Sequence, residues 1–174
     1  LVSDVRGHEY AKPVATMRKY LEGMDSAWEA FGGAPQEKQL VLAALGPNMS
    51  KLSADRTLGT FPYNITPDQV KLSRDAMGPQ GLIFCEQKVC VTDDPKKARE
   101  VARAALSPYM PLPNYYKNWF RLGFDESDLK DGGSDRLMDA MVLWGDPETV
   151  KAKLNQYLEN GADQVVIQAL RADG

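Results

Sequence analysis

The chain has 174 residues, a formal net charge of -3 and a pI near 5.2. That length supports one core of domain size. The slightly acidic balance supplies no field for nucleic acid or an anionic membrane, and no apolar run approaches the roughly 20 residues that span a bilayer. Cys85 and Cys90 are the only cysteines. On one expected strand they point to opposite faces and match no zinc spacing, so they read as buried thiols in a reducing cytoplasm. His8, the only histidine, lies in the polar segment Arg6–Tyr10 and reads as a loop residue, which leaves no His-clustered metal site. The chain opens at Leu1 with neither an initiator Met nor a signal pattern, as a fragment or a trimmed chain does.

In chain order, Pro13 opens a helix with Val14, Met17, Tyr20, Leu21 and Met24 on one face. After the turn Gly32-Gly33-Ala34-Pro35, the apolar run Leu40–Leu45 predicts a strand buried on both faces. Helical spacing follows at Met49, Leu52 and Ala54, and Leu58-Gly59 reads as the helix's C-cap. Thr60–Tyr63 is a second short strand, Thr66-Pro67-Asp68 a capped helix start, and Leu82–Val91 the longest β-like run. Asp93-Asp94-Pro95 starts a helix with Ala98, Val101, Ala102, Ala105 and Leu106 inward. The aromatic segment 111–131 breaks the rhythm with a short helix over Tyr115–Leu122 and a turn capped by Asp125 or Ser127. Gly133-Ser134-Asp135 opens a helix carrying Leu137, Met141 and Val142, and Asp146-Pro147 caps the last long helix before a strand at Val165–Ile167. Four strands alternating with helices argue for a parallel sheet of right-handed βαβ units.

The turn at Gly46-Pro47 aims a helix N-terminus off the end of a strand. Gly46 allows a tight turn, and Pro47 loses nothing in the first helical turn. Backbone N–H groups there suit an anion such as phosphate, while an ordinary turn without a ligand explains the same residues.

The stretches Arg6–Leu21, Leu42–Met49, Leu112–Tyr115 with Trp119–Phe124, Gly132–Leu137, Trp144-Gly-Asp146 and Gly161-Ala-Asp163, taken in this order, resemble the luciferase-like flavin and deazaflavin oxidoreductases, in the branch that uses coenzyme F420. The resemblance implies a (β/α)₈ TIM barrel, of which residues 1–174 form roughly the C-terminal half. Its fifth strand would lie at Gln39–Leu45, the sixth at Thr60–Tyr63, the seventh within Leu82–Val91 and the eighth at Gln164–Ala169. The segment 111–131 would be the insertion near the barrel mouth. Half a barrel leaves unpaired edges, so the resemblance implies a missing N-terminal half-barrel or a homo-oligomer as partner.

The same resemblance implies hydride transfer between F420 and a small organic substrate, without a metal. Carried onto this sequence, the cofactor's phosphate loop is Gly46, Pro47, Asn48 and Met49. Tyr63, Glu86, Asn114, Tyr115 and Trp119 would face the substrate, although Glu86 beside Lys88 reads equally well as a surface pair, and Asn114, Tyr115 and Trp119 as loop packing. Ser134 or Arg136 is a minor candidate for an anionic cofactor group; Asp146 is a helix cap. No catalytic acid or base is assigned, because the family keeps much of that chemistry in the first four βα units, and this chain alone is expected to be inactive. Two other readings stand beside it: an FMN-dependent luciferase-like monooxygenase, and a non-catalytic half-barrel acting as an assembly or binding module.

Overall fold

The computed structural model describes residue 7, residues 11–32 and residues 39–172. His8 and the turn residues 33–35 lie outside them. The elements run α1 (Pro13–Ala30), β1 (Val41–Leu42), α2 (Pro47–Arg56), β2 (Gly59–Thr60), α3 (Pro67–Met77), β3 (Leu82–Val91), α4 (Pro95–Leu106) and α5 (Pro113–Arg121). A 3₁₀ segment (Glu126–Gly132) leads to α6 (Asp135–Met141), β4 (Val142–Gly145), α7 (Pro147–Glu159) and β5 (Gln164–Ala169). Every one of these α-helices except α6 opens on a proline, whose fixed φ and missing N–H suit the first helical turn. Side chains of Asp94, Ser134 and Asp146 accept backbone N–H groups at the starts of α4, α6 and α7. Asp125 and Asp128 form a reciprocal capping box on the 3₁₀ segment. Thr66 makes no such bond, contrary to expectation: its hydroxyl is buried without a partner, and α3 starts on the proline alone.

The pairings between the described strands β1 to β5 are parallel, and β3 is their template. It pairs with β2 at Gly59↔Leu82, with β4 from Lys88↔Val142 to Val91↔Gly145, and with β5 from Phe84↔Gln164 to Val89↔Ala169. The Glu86 N–H reaches Pro62 O and the Thr92 N–H reaches Gly145 O, whereas Ile83 O and Val89 O accept from Asp163 and Leu170. Even-numbered residues therefore serve β2 and then β4 along one edge, and odd-numbered ones serve β5 along the other. The strand β4 is a correction to the four-strand expectation. Val142 was expected on a helix, but α6 ends at Met141 and Val142-Leu143-Trp144 fills the stretch of β3 edge beyond β2. A short apolar run does not tell helix from strand until a free edge is available to it. Conversely β1 and β2 are two residues each, shorter than the apolar runs that mark them.

Odd-numbered residues Ile83, Cys85 and Val89 pack with Val70, Met77, Val150 and Tyr157 under α3 and α7. Cys90, on the other face, joins Leu106, Trp119, Met138 and Met141 in a second cluster. Both thiols are free and buried, and burial pushes Cys85 up to about 11. The third cluster joins α1, β1 and α2 through Leu21, Leu42 and Leu52, with Val14, Met17 and Met24 against it. Tyr20, expected on that face, is 64% exposed. Arg74 ties α3 to the sheet, donating to Gly81 O, Gly161 O and Asp163, whose carboxylate also takes the Ile83 N–H at 2.8 Å.

Gly59 serves this sheet rather than a helix C-cap. A Cβ built on it would lie 1.9 Å from the Leu82 carbonyl oxygen, so the close approach of β2 and β3 admits no side chain. Gly59→Ala is expected to lower unfolding free energy by about 3 kcal/mol, as strained overpacking does. Urea denaturation checks it; an unchanged midpoint would remove the close-approach argument.

Candidate functional site: a cleft beyond the strand ends

Beyond the carboxyl ends of β1 and β2, the start of α2 and one face of α5 enclose a cleft of about 460 Å³. Gly46, Pro47, Asn48, Met49, Tyr63, Asn114 and Tyr115 all line it, so most of the residues singled out in the sequence come together here. Glu86 and Trp119 do not. Trp119 is fully buried below the cleft and donates Nε1–H to Asn64 O at 3.0 Å. Glu86 is also buried, at 6% exposure, on the side of β3 that carries Lys88, so its pairing is internal rather than a surface pair.

The α2 terminus is built simply. Gly46 is the N-cap with φ -97, an ordinary value that does not demand glycine. A Cβ there would sit 3.8 Å from Arg121 Nη2, an ordinary contact that places this guanidinium beside the helix start. Gly46 O accepts the N–H groups of Met49 and Ser50, Pro47 has none, and no side chain caps the helix. The Asn48 N–H is what the helix end has left to offer a ligand.

Two cations join it, and neither was singled out in the sequence. Lys117 and Arg121, one turn apart on α5, line the cleft, and among the described residues no Asp or Glu lines it. Their spacing of four was the available signal; which way α5 faces was not. Arg121 donates to the neutral Asn118 Oδ1 at 2.6 Å, and among the described residues neither cation has a carboxylate partner. Phe61, Leu45 and the rings of Tyr63 and Tyr115 supply apolar walls. Such a cleft suits a ligand with a flat apolar body and an anionic end. Ser134 and Arg136 belong elsewhere: Ser134 Oγ and the Arg136 guanidinium both bond Asp128, which Arg136 holds down to about 2.

Behind Tyr63 lies a polar centre that the sequence did not reveal. Lys88, 2% exposed, donates to Asn64 Oδ1 at 2.6 Å and lies 3.3 and 3.4 Å from the Glu86 carboxylate oxygens. Its ammonium faces the Tyr63 ring, 3.8 Å from the centroid. The Tyr63 hydroxyl in turn lies 3.0 Å from that of Tyr109 and 3.3 Å from Gln168 Oε1. The rings of Tyr63, Tyr109 and Tyr115 pack edge to face or tilted, with centroids 5.0 to 6.3 Å apart. Burial lowers the Lys88 pKa and raises that of Glu86, and each partner opposes the other's shift. Burial also pushes Tyr115 up to about 12. The lysine thus fixes the aromatic wall from behind.

Lys88→Met strands the Glu86 carboxylate, and a loss of about 3 to 5 kcal/mol is expected. The loss should shrink as pH falls, because Glu86, with its raised pKa, then takes a proton and no longer buries a charge. Adding Glu86→Gln should recover part of the stability at neutral pH. Denaturant melts of the three proteins across pH check this; a pH-independent loss, unrelieved in the double variant, would show that the pair is not what the site needs.

Comparison with known proteins gives these features a family. No curated protein matches the chain significantly. Among solved structures, an F420-dependent secondary alcohol dehydrogenase in complex with an F420–acetone adduct superposes with a TM-score of 0.71 at 12% identity, over 98% of this chain and 60% of that one. A coenzyme F420-dependent tetrahydromethanopterin reductase from Methanopyrus kandleri gives 0.60 at 17% identity, over 77% and 45%. At these identities the likeness is one of fold, a partial luciferase-like TIM barrel, and this chain spans less than two thirds of either protein's length. The sequence signature described as luciferase-like monooxygenase matches residues 2–164, and the chain belongs to that family.

Proposed function

We propose that the intact protein is an F420-dependent oxidoreductase acting on a small organic substrate, and that this chain supplies the C-terminal half of its barrel. The observation that carries the reading is the cleft itself, where a helix N-terminus and the cations of α5 meet aromatic walls beyond the strand ends, with no acid among the described lining residues. Ligands of parallel α/β folds bind in that position. The fold likeness to two F420-dependent enzymes supports the choice of cofactor. When bound, the deazaflavin accepts or gives a hydride. The residues of this chain bind and orient it: the Gly46–Met49 turn takes the phosphate, with the Asn48 N–H as donor, while Tyr63, Asn114 and Tyr115 flank the ring or the substrate. Glu86 acts from behind, through Lys88 and Tyr63. No acid or base for the reaction is assigned, and the chain alone is expected to bind without turning over. The free, buried cysteines fit a cytoplasmic setting. Among the described residues no helix is long and apolar enough to cross a membrane.

The second reading takes FMN in the same cleft, favoured by the family's description as monooxygenases. Fluorescence titration with F420 and with FMN separates the two. Saturable F420 binding is expected; tight FMN binding without F420 binding would overturn the cofactor assignment.

The partner proposed is an N-terminal half-barrel or a second copy. Among the described strands, β1 pairs only with β2 and β5 only with β3. On β5, Val166 is 38% and Ile167 55% exposed. Open edges and apolar faces of this kind invite pairing. Size-exclusion chromatography with light scattering of this chain should give a dimer or larger species. A compact monomer stable at high concentration would argue against edge pairing.

A further inference from the structure

Four aromatic rings run in series from the cleft into the core. Tyr63 and Tyr115 line the cleft. Tyr109 touches both, with centroids 5.4 and 5.0 Å away, and Tyr115 lies 6.2 Å from Trp119, which is fully buried. These are the spacings of packed aromatic pairs, and π-systems in contact exchange an electron without a covalent path between them. Charge is placed unevenly along the series. The Lys88 ammonium stands 3.8 Å from the Tyr63 centroid and 5.6 Å from that of Tyr109. Among the described residues no Lys or Arg stacks on Tyr115 or Trp119. A ring that gives up an electron becomes positive, and a buried cation at this range opposes that change. Tyr115 lies in a different field: burial pushes it up to about 12, and the Glu86 carboxylate adds to the shift, so it holds its proton. Trp119 donates Nε1–H to Asn64 O at 3.0 Å, which makes the indole richer in electrons.

We propose that Tyr115 and Trp119 form a one-electron relay that draws an oxidising equivalent out of the cleft into the core, with Lys88 setting its direction away from Tyr63 and Tyr109. The oxidant is of the class of a photoexcited flavin or deazaflavin held in the cleft. Its identity rests on the cofactor reading above, whereas the relay rests on the rings and charges of this chain. The oxidant gains one electron and Tyr115 loses one. Trp119 then gives one electron to Tyr115, which ends as it began, hydroxyl proton included. The indole keeps its Nε1 proton, shared with Asn64 O, so no bond forms or breaks. The reduced oxidant later returns its electron to Trp119, and every group is restored. Meanwhile the positive charge waits on a ring that solvent does not reach, and the cleft wall escapes oxidation.

The test puts an oxidant in the cleft without relying on cofactor binding. Both native cysteines are buried, so Asn48→Cys, on the wall opposite α5, takes a ruthenium polypyridyl label selectively in the whole 174-residue chain. A flash in the presence of a soluble electron acceptor turns the label into the oxidant. Transient absorption and freeze-trapped EPR should then show an indole radical. It should be lost in Trp119→Phe and also in Tyr115→Phe, which keeps the ring packing and leaves the core intact but cannot carry the charge. Tyr116→Phe, whose ring pairs with Phe120 outside the series, should leave the signal unchanged. In the Glu86→Gln, Lys88→Met double variant part of the signal should move to tyrosine. An indole radical undiminished in Tyr115→Phe overturns the relay, as does a radical that rests on tyrosine in the labelled parent. A signal that persists in Trp119→Phe belongs to Trp28 or Trp144 and overturns it too. An unmoved partition in the double variant overturns the role given to Lys88. If the labelled chain relays while neither F420 nor FMN binds, the relay stands and the cofactor reading falls. If F420 binds but the labelled chain gives no indole radical, the cofactor reading survives and the relay falls.

Discussion

A buried lysine ammonium must find partners or lose its charge, and the placement of Lys88 on β3 organises the interior of this partial barrel. The groups that satisfy it come from separate parts of the chain. Glu86 comes from two residues earlier on the same face of β3, and Asn64 and Tyr63 from the loop after β2. Asn64 holds a left-handed backbone with φ 54, which asparagine tolerates better than most residues. That conformation is pinned from the other side, where Trp119 of α5 donates to Asn64 O. A single charged group thereby links the sheet, the loop that bears the aromatic wall, and α5. The arrangement costs desolvation on both members of the ion pair, and its return is the fixed position of Tyr63.

The cleft depends on that fixed position. One wall is the end of the sheet and the start of α2; the opposite wall is α5, which reaches the site only because Trp119 anchors it in the core. The anchoring residue and the cleft-facing residues alternate along the same short helix. Trp119 and Asn118 point inward, while Asn114, Lys117 and Arg121 look into the cleft. The segment that breaks the βα rhythm thus contributes Asn114, Tyr115, Lys117 and Arg121 to the cleft lining. This is the usual division in such folds, with a rigid sheet below and variable segments above the strand ends.

Local signals in the chain were strong where local physics decides the outcome. Prolines at first helical positions, the capping aspartates and Ser134 mark the helix starts, because a missing N–H or a carboxylate acts within one turn. The strand β3 was legible as a long β-branched and apolar run, although its Glu86 and Lys88 invited reading as a surface pair. The strand β4 was not legible: Val142-Leu143-Trp144 follows helical residues without a break, and only the vacant stretch of β3 edge makes it a strand. Gly59 was assigned to the wrong task for the same kind of reason. Its need for no side chain comes from Leu82, a contact between strands.

By itself the sequence determined the family, the alternation of strands and helices, and the turn at Gly46–Met49, since each is written in neighbouring residues or in the order of short motifs. The tertiary structure alone decided that Tyr63, Asn114 and Tyr115 share one cleft, that Lys117 and Arg121 face it, and that Lys88 lies buried behind it. Charge and polarity along a chain say which groups need partners. Which partners they get depends on the approach of residues far apart in sequence, such as the 24 positions between Lys88 and Asn64, and that is set only when the sheet and α5 close on one another.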